Sequence, residues 1–146
     1  MRVLALDYGA KTVGVAVTDA LGLTAQPVET IRRPRENVLR KTYNRIGELI
    51  LEKGAELIVV GLPLNMDETE GERAALARRF GEAVSKRSGI PVVFFDERLT
   101  SVEAEEILRA NGVKTKDRGA VIDQVAACLI LRGYLETKEK NGKTDI

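Results

Sequence analysis

Residues 2–6 form a short apolar, β-prone run that stops at Asp7, and the YGAK that follows at 8–11 reads as a turn. Residues 13–18 carry Val, Gly, Val, Ala and Val in succession and read as a second strand. Two strands joined by a short glycine-containing turn make a hairpin. A further turn at 19–22 leads to a third strand over 24–31, which Pro27 confines to a sheet edge, because proline has no N–H for an inner ladder.

Apolar spacing then changes to helical. Residues 34–53 place Val38, Leu39, Ile46, Leu49 and Ile50 on one stripe, with Pro34 suited to a first turn and Gly54 as the stop. A buried strand over 57–60 ends at Gly61, and 62–70 is a polar loop. Residues 72–88 form a second helix with Ala75, Leu76, Phe80, Ala83 and Val84 inward, ended by Ser88-Gly89. A fifth strand over 91–95 runs into Asp96-Glu97. Thr100 and Glu103 have the spacing of a capping box for a third helix. A basic loop, NGVKTKDR, occupies 111–118, and a last helix runs from about Arg118 to Lys138, capped by Asp117.

A three-strand meander followed by strands alternating with helices calls for one mixed sheet covered by helices on both faces. The chain of 146 residues suits a single α/β domain over 1–138, with a frayed tail at 139–146. No apolar run approaches membrane-spanning length, and the first residues lack the features of a secretion signal. The expectation is a cytoplasmic protein without membrane contact.

Composition narrows the chemistry. The sequence contains no histidine, which removes Ser-His and Cys-His catalysis and histidine-ligated zinc. Its one cysteine, Cys128, lies in an apolar stretch and reads as a buried small hydrophobe. The net charge of +1, from 23 basic and 22 acidic residues, gives no global attraction to nucleic acid, so local clusters must carry any such argument.

Acidic residues stand in three unusual places. Asp7 closes an apolar strand. Asp96-Glu97 closes another, and strand alternation sends one of the two inward without saying which. Asp123 shares a helical face with Ala126, Ala127, Ile130 and Leu131, the face that packs inward. A buried carboxylate needs a cation, a hydrogen-bond partner or a metal. Ligand sites of α/β sheets gather at strand carboxyl ends, and clustered carboxylates favour Mg²⁺ or Mn²⁺. Such ions activate water for phosphodiester hydrolysis without histidine.

The segments LALDYGAKTVGVAVTD, VVGLPLNMDETEGERA, FFDERLTSVEAEEIL and DQVAACLIL occur in order and span nearly the whole chain. Together they resemble the bacterial Holliday-junction-resolvase-like family of pre-16S rRNA nucleases. The resemblance implies a ribonuclease H-like fold, a five-stranded sheet with its first three strands antiparallel, cytoplasmic ribosome biogenesis and divalent-metal hydrolysis. It puts the catalytic, metal-binding acids on Asp7, Glu97 and Asp123, and so selects Glu97 over Asp96. One departure is Glu68, where the family motif has glycine after NMD; if that position takes positive φ, Glu68 strains the turn.

For substrate, Arg98, Lys114, Lys116 and Arg118 lie near the acids in sequence, with Lys11 in the turn after Asp7. Arg32, Arg33, Arg35, Arg40, Lys41 and Arg45 crowd one stretch, either as a solvated helix face or as phosphate contacts. With 4% aromatics and no Trp, shape and backbone recognition of structured RNA or branched DNA is favoured over base stacking. Alternatives are a branched-DNA resolvase, which requires a homodimer rather than a monomer, and a non-catalytic nucleic-acid-binding factor. LDYGAKTVGVAV also resembles the phosphate loop of actin-like sugar kinases and ATPases, which are usually much longer chains.

Overall fold

The computed structural model describes the backbone of residues 1–97 and 115–144, and the side chains of 1–97 and 123–138. The order of elements is β1 (Arg2–Tyr8), β2 (Thr12–Thr18), β3 (Ala25–Arg32), α1 (Arg40–Lys53), β4 (Ala55–Leu62), α2 (Glu72–Ser88), β5 (Val92–Asp96) and α3 (Thr115–Thr144). The third helix read at Thr100 lies outside the described residues.

The five strands form one mixed sheet in the order β3-β2-β1-β4-β5. β1, β2 and β3 pair antiparallel, while β4 and β5 run parallel to β1, so the meander and the alternating half predicted from sequence share one sheet. β3 is an edge, as Pro27 requires. Its register against β2 skips Val28, so Ala16 faces Pro27 while Val15 faces Glu29.

Alternation along β1 divides the core in two. Leu4, Leu6 and Tyr8 join Ile46, Leu49, Ile50, Phe80 and Val84 under α1 and α2. Val3 and Ala5 face the other way, where Ala127, Ile130 and Leu131 of α3 cover them. Asp7 continues that second row, so its side chain belongs to the α3 face of the sheet. Cys128 is buried in this layer, as its apolar surroundings predict.

Several boundaries differ from the sequence reading. α1 starts at Arg40, not near Pro34. Residues 33–39 instead fold back on the first hairpin: the Arg33 N–H donates to the Lys11 carbonyl and the Val38 N–H to the Arg35 carbonyl. Those backbone contacts replace the first helical turns. In α2 the buried stripe is Ala74, Ala77, Phe80, Gly81 and Val84, while Ala75 is exposed and Leu76 and Ala83 sit at the flank. A slight rotation brings Gly81 onto the Phe94 ring, where a Cβ would come within 2.7 Å of it. α3 begins at Thr115 and continues past Lys138 to Thr144.

After β4, residues 64–70 make a small hairpin, with Leu64 bridged to Glu70. The Glu68 N–H donates to the Asn65 carbonyl and the Asn65 N–H to the Thr69 carbonyl, a turn that needs one residue in the left-handed region. Glu68 fills it with φ 71°, the only non-glycine residue at positive φ among those described. The strain anticipated for this position is therefore present. Glu68→Gly is expected to raise stability by roughly 1 kcal/mol, read as a higher urea midpoint at unchanged slope.

Candidate active site

The carboxyl ends of β1, β4 and β5 lie side by side at one end of the sheet. β1 brings Asp7 there and β5 brings Asp96-Glu97. Val93 and Phe95 pack on the α3 face, so alternation sends Glu97 to the same side as Asp7 and Asp96 to the opposite one. The neighbouring acids, between which alternation alone could not choose, thus turn to opposite faces, with Glu97 on the side of Asp7. The Glu97 N–H donates to the Leu62 carbonyl, extending the β4–β5 ladder to the site.

Two glycines make room for this. Gly14 pairs with Asp7 across the β1–β2 ladder. A Cβ there would fall inside the contact distance of the Asp123 carbonyl, so α3 rests directly on the β2 backbone at Asp123. Gly61, on the other flank of Asp7, does the same for Glu97: a Cβ would strike its Oε2, and would come within 2.5 Å of Ile130 Cδ1. The sequence reading missed both roles. The available signal was glycine within or ending a strand, which marks close approach by another backbone or group.

Asp7 and Glu97 share a side-chain hydrogen bond. Burial pushes the Asp7 carboxyl up to about 6; Glu97's hydrogen bond opposes this, and the charge of Asp123 adds to it. Glu97 is pushed up to about 8 by burial, then by the charge and hydrogen bond of Asp7, with Arg73 pulling the other way. The pair therefore holds a proton near neutral pH. Asp123 is also raised by burial, opposed by a hydrogen bond from Thr12 and by Arg32.

The three acids thus come to one end of the sheet, with Asp7 in the middle. Among the described residues no group of three donors stands arranged around one point as a finished metal site. Glu97 and Asp7 hold each other, and Asp123 is held by Thr12. The donor set nevertheless suits a hard divalent cation: buried oxygens, repulsion between neighbours, and a proton standing in for positive charge. Thr12 and Arg73 gave no sign of involvement in the sequence, because folding alone brings them to the acids.

The candidate substrate residues fare unevenly. Lys11 is exposed on the turn beside the site. Arg98 and Lys114 lie outside the described residues, as do the side chains of Lys116 and Arg118. Arg45 is not a free phosphate contact: it pairs with Glu29 at 2.7 Å and with Glu48 at 2.9 Å. Arg33 is buried, not part of a solvated helix face.

A mixed five-stranded sheet with an antiparallel meander, helices on both faces and acids at neighbouring strand ends defines a domain of the ribonuclease H-like class. The family model of RuvX, described as Holliday junction resolvase, matches residues 1–137, and the chain belongs to that family. A protein of Lachnospira eligens named "Putative pre-16S rRNA nuclease" is 54% identical over 140 residues, covering 96% of this chain and all of the relative. One of the same name from Listeria monocytogenes serotype 4b is 50% identical over 137 residues, covering 94% and 99%. Among solved structures, Thermus thermophilus RuvC in complex with a Holliday junction substrate superposes with a TM-score of 0.60 at 17% identity, covering 94% of this chain and 96% of RuvC. Fowlpox virus Holliday junction resolvase gives 0.55 at 12% identity, covering 94% and 99%. At these identities the structural likeness establishes the fold. No described helix is long and apolar enough to cross a membrane.

Proposed function

We propose that this protein is a divalent-metal-dependent endonuclease that hydrolyses phosphodiester bonds in precursor 16S ribosomal RNA, working in the cytoplasm. The observation that carries this reading is the meeting of Asp7, Glu97 and Asp123 at one end of the sheet, where Gly14 and Gly61 admit the two flanking acids. Family membership and relatives named for this substrate support it.

Asp7, Glu97 and Asp123 would hold the cation, with Mg²⁺ or Mn²⁺ the ions their oxygens suit. The ion supplies activation of water and neutralisation of charge on the phosphate. The chain's own part is preparatory. Asp7 and Glu97 would both have to be ionised, without the proton between them, to hold a cation. Thr12 fixes the rotamer of Asp123 by donating to its carboxylate. Gly14 and Gly61 let the flanking acids stand close to Asp7.

Competition between proton and cation sets the pH dependence. Both acids must be ionised to bind, so apparent Mn²⁺ affinity and cleavage should rise as pH passes about 6 and level off above about 8. More Mn²⁺ should shift the rise to lower pH. The measurement is cleavage of a 5′-labelled pre-16S transcript across this range at two Mn²⁺ concentrations and in EDTA. Cleavage that persists in EDTA, or a profile indifferent to Mn²⁺, would refute the proposal. The family description also favours cutting of branched DNA. A four-way DNA junction cut symmetrically, with the RNA left intact, would move the assignment to that substrate.

A further inference from the structure

Arg33 follows β3 directly and is only 6% exposed, an unusual place for a guanidinium. Its Nη2 donates to the Gly9 carbonyl at 2.5 Å and its Nε to the Glu36 carbonyl at 3.2 Å. Both partners are neutral. Nη1 is buried and has no hydrogen-bond partner among the described residues. The guanidinium carbon lies 4.9 Å from the centre of the Tyr8 ring. A second guanidinium, that of Arg73 at the start of α2, lies 5.8 Å from the same ring. One carboxylate joins this group. Glu36 Oε1 accepts from Arg73 Nη1 at 2.6 Å and from the Tyr8 hydroxyl at 3.4 Å.

One guanidinium and a phenol therefore bond the carboxylate, while the second guanidinium, that of Arg33, meets only the Glu36 backbone carbonyl, and the group as a whole keeps a net positive charge. The Glu36 and Arg73 side chains are 34% and 44% exposed, so this ion pair is open to solvent while Arg33 is buried. Tyr8 adjoins Asp7 in the chain, and the positive charge of Arg73 reaches Glu97. The Tyr8 side chain turns to the α1–α2 face while Asp7 turns to the α3 face, so the cluster stands at the same end of the sheet as the carboxylates but on its other face.

We infer that Arg33, Arg73 and Tyr8 form a subsite for a backbone phosphate of the nucleic acid, and that Glu36 occupies it as an internal surrogate anion until substrate displaces it. The inference rests on the nuclease reading above and adds where the strand is gripped. The chemistry of the cluster favours a phosphodiester. Apart from Glu36, its side chains offer hydrogen-bond donors, and guanidinium groups match the paired oxygens of a phosphate. A bound phosphate would also supply charge for the buried Arg33, which its neutral carbonyl partners do not.

The sign of one substitution separates this from a purely structural ion pair. Glu36→Gln keeps the shape and removes the competing charge. It should tighten binding of a pre-16S RNA stem, and of a four-way DNA junction, by about two- to fivefold in metal-free low-salt buffer, the scale of an exposed ion pair. Arg73→Gln should weaken binding and lower the salt slope by about one phosphate contact. Both side chains are partly exposed, so both variants should fold, as circular dichroism would check. If Glu36→Gln leaves affinity unchanged or weakens it, or if Arg73→Gln leaves the salt slope unchanged, the subsite is overturned. When the wild type cleaves as described above, either result overturns the subsite alone. A wild type that neither cleaves nor binds RNA or DNA overturns the nuclease reading beneath it.

Discussion

Asp7→Asn is expected to abolish Mn²⁺-dependent cleavage, by more than about 100-fold, while leaving the fold intact and more stable. Loss of an outer-shell partner around a metal ligand alone costs about 10–100-fold, so loss of the central carboxylate should exceed that. The stability gain follows from protons. Asp7 and Glu97 both titrate above their ordinary values, so the folded protein holds protons that the unfolded chain has released. Their contribution to stability is full below the ordinary carboxylate range. It is lost as pH climbs through about 6 for Asp7 and about 8 for Glu97. Above that range the metal-free wild type holds buried, mutually repelling charges. Asparagine keeps the shape and a hydrogen-bond donor toward Glu97, and removes one charge. The gain in metal-free protein at pH 8 is on the order of 3 kcal/mol, seen by comparing melting temperatures of both proteins from pH 5 to 8. A variant that still cuts would remove Asp7 from the chemistry, and a variant with no gain would mean the carboxylate is already compensated.

Gly14→Ala carries the other large effect. The added methyl would meet the Asp123 backbone carbonyl, not a flexible side-chain end. α3 has to lift from the sheet, and the seam of Ala5, Ala16, Ala127 and Ile130 beneath it loosens. Overpacking of this kind costs typically 1–3 kcal/mol. At about 3 kcal/mol the melting temperature falls by roughly 10 °C. The same displacement withdraws Asp123 from Asp7, so Mn²⁺ affinity should fall at temperatures where the variant is still folded. Calorimetric titration of the folded variant with Mn²⁺ tests this. Wild-type stability together with wild-type Mn²⁺ affinity would show that β2 and α3 are not in the close register described.

Much of this was legible in the chain itself. Periodicity gave the meander, the change to helices and the span of α2, because alternation by two and by 3.6 are local properties. Pro27 gave the edge strand through its missing N–H. The inward face of the last helix was readable from Ala126, Ala127, Ile130 and Leu131, and that made Asp123 anomalous. The absence of histidine pointed to carboxylate chemistry. Glu68 declared a strained turn once the family motif was recognised.

Other features depend on which backbone meets which. Residues 34–39 have a helix-compatible pattern, yet they form a return loop because Arg33 finds the Lys11 and Gly9 carbonyls of another hairpin. The basic stretch at 32–45 reads as one class of residue. Tertiary contacts divide it into a buried cation at Arg33, an ion-paired one at Arg45 and exposed ones at Arg40 and Lys41. The sequence by itself determined which residues could form strands, helices and an acidic centre, since those follow from spacing and side-chain chemistry. Only the tertiary structure decided that Glu97 faces Asp7, that two glycines admit its neighbours, and that Arg73 and Thr12 stand beside the acids. Such contacts join residues far apart in the chain, and close approach between elements leaves no periodic trace in the sequence.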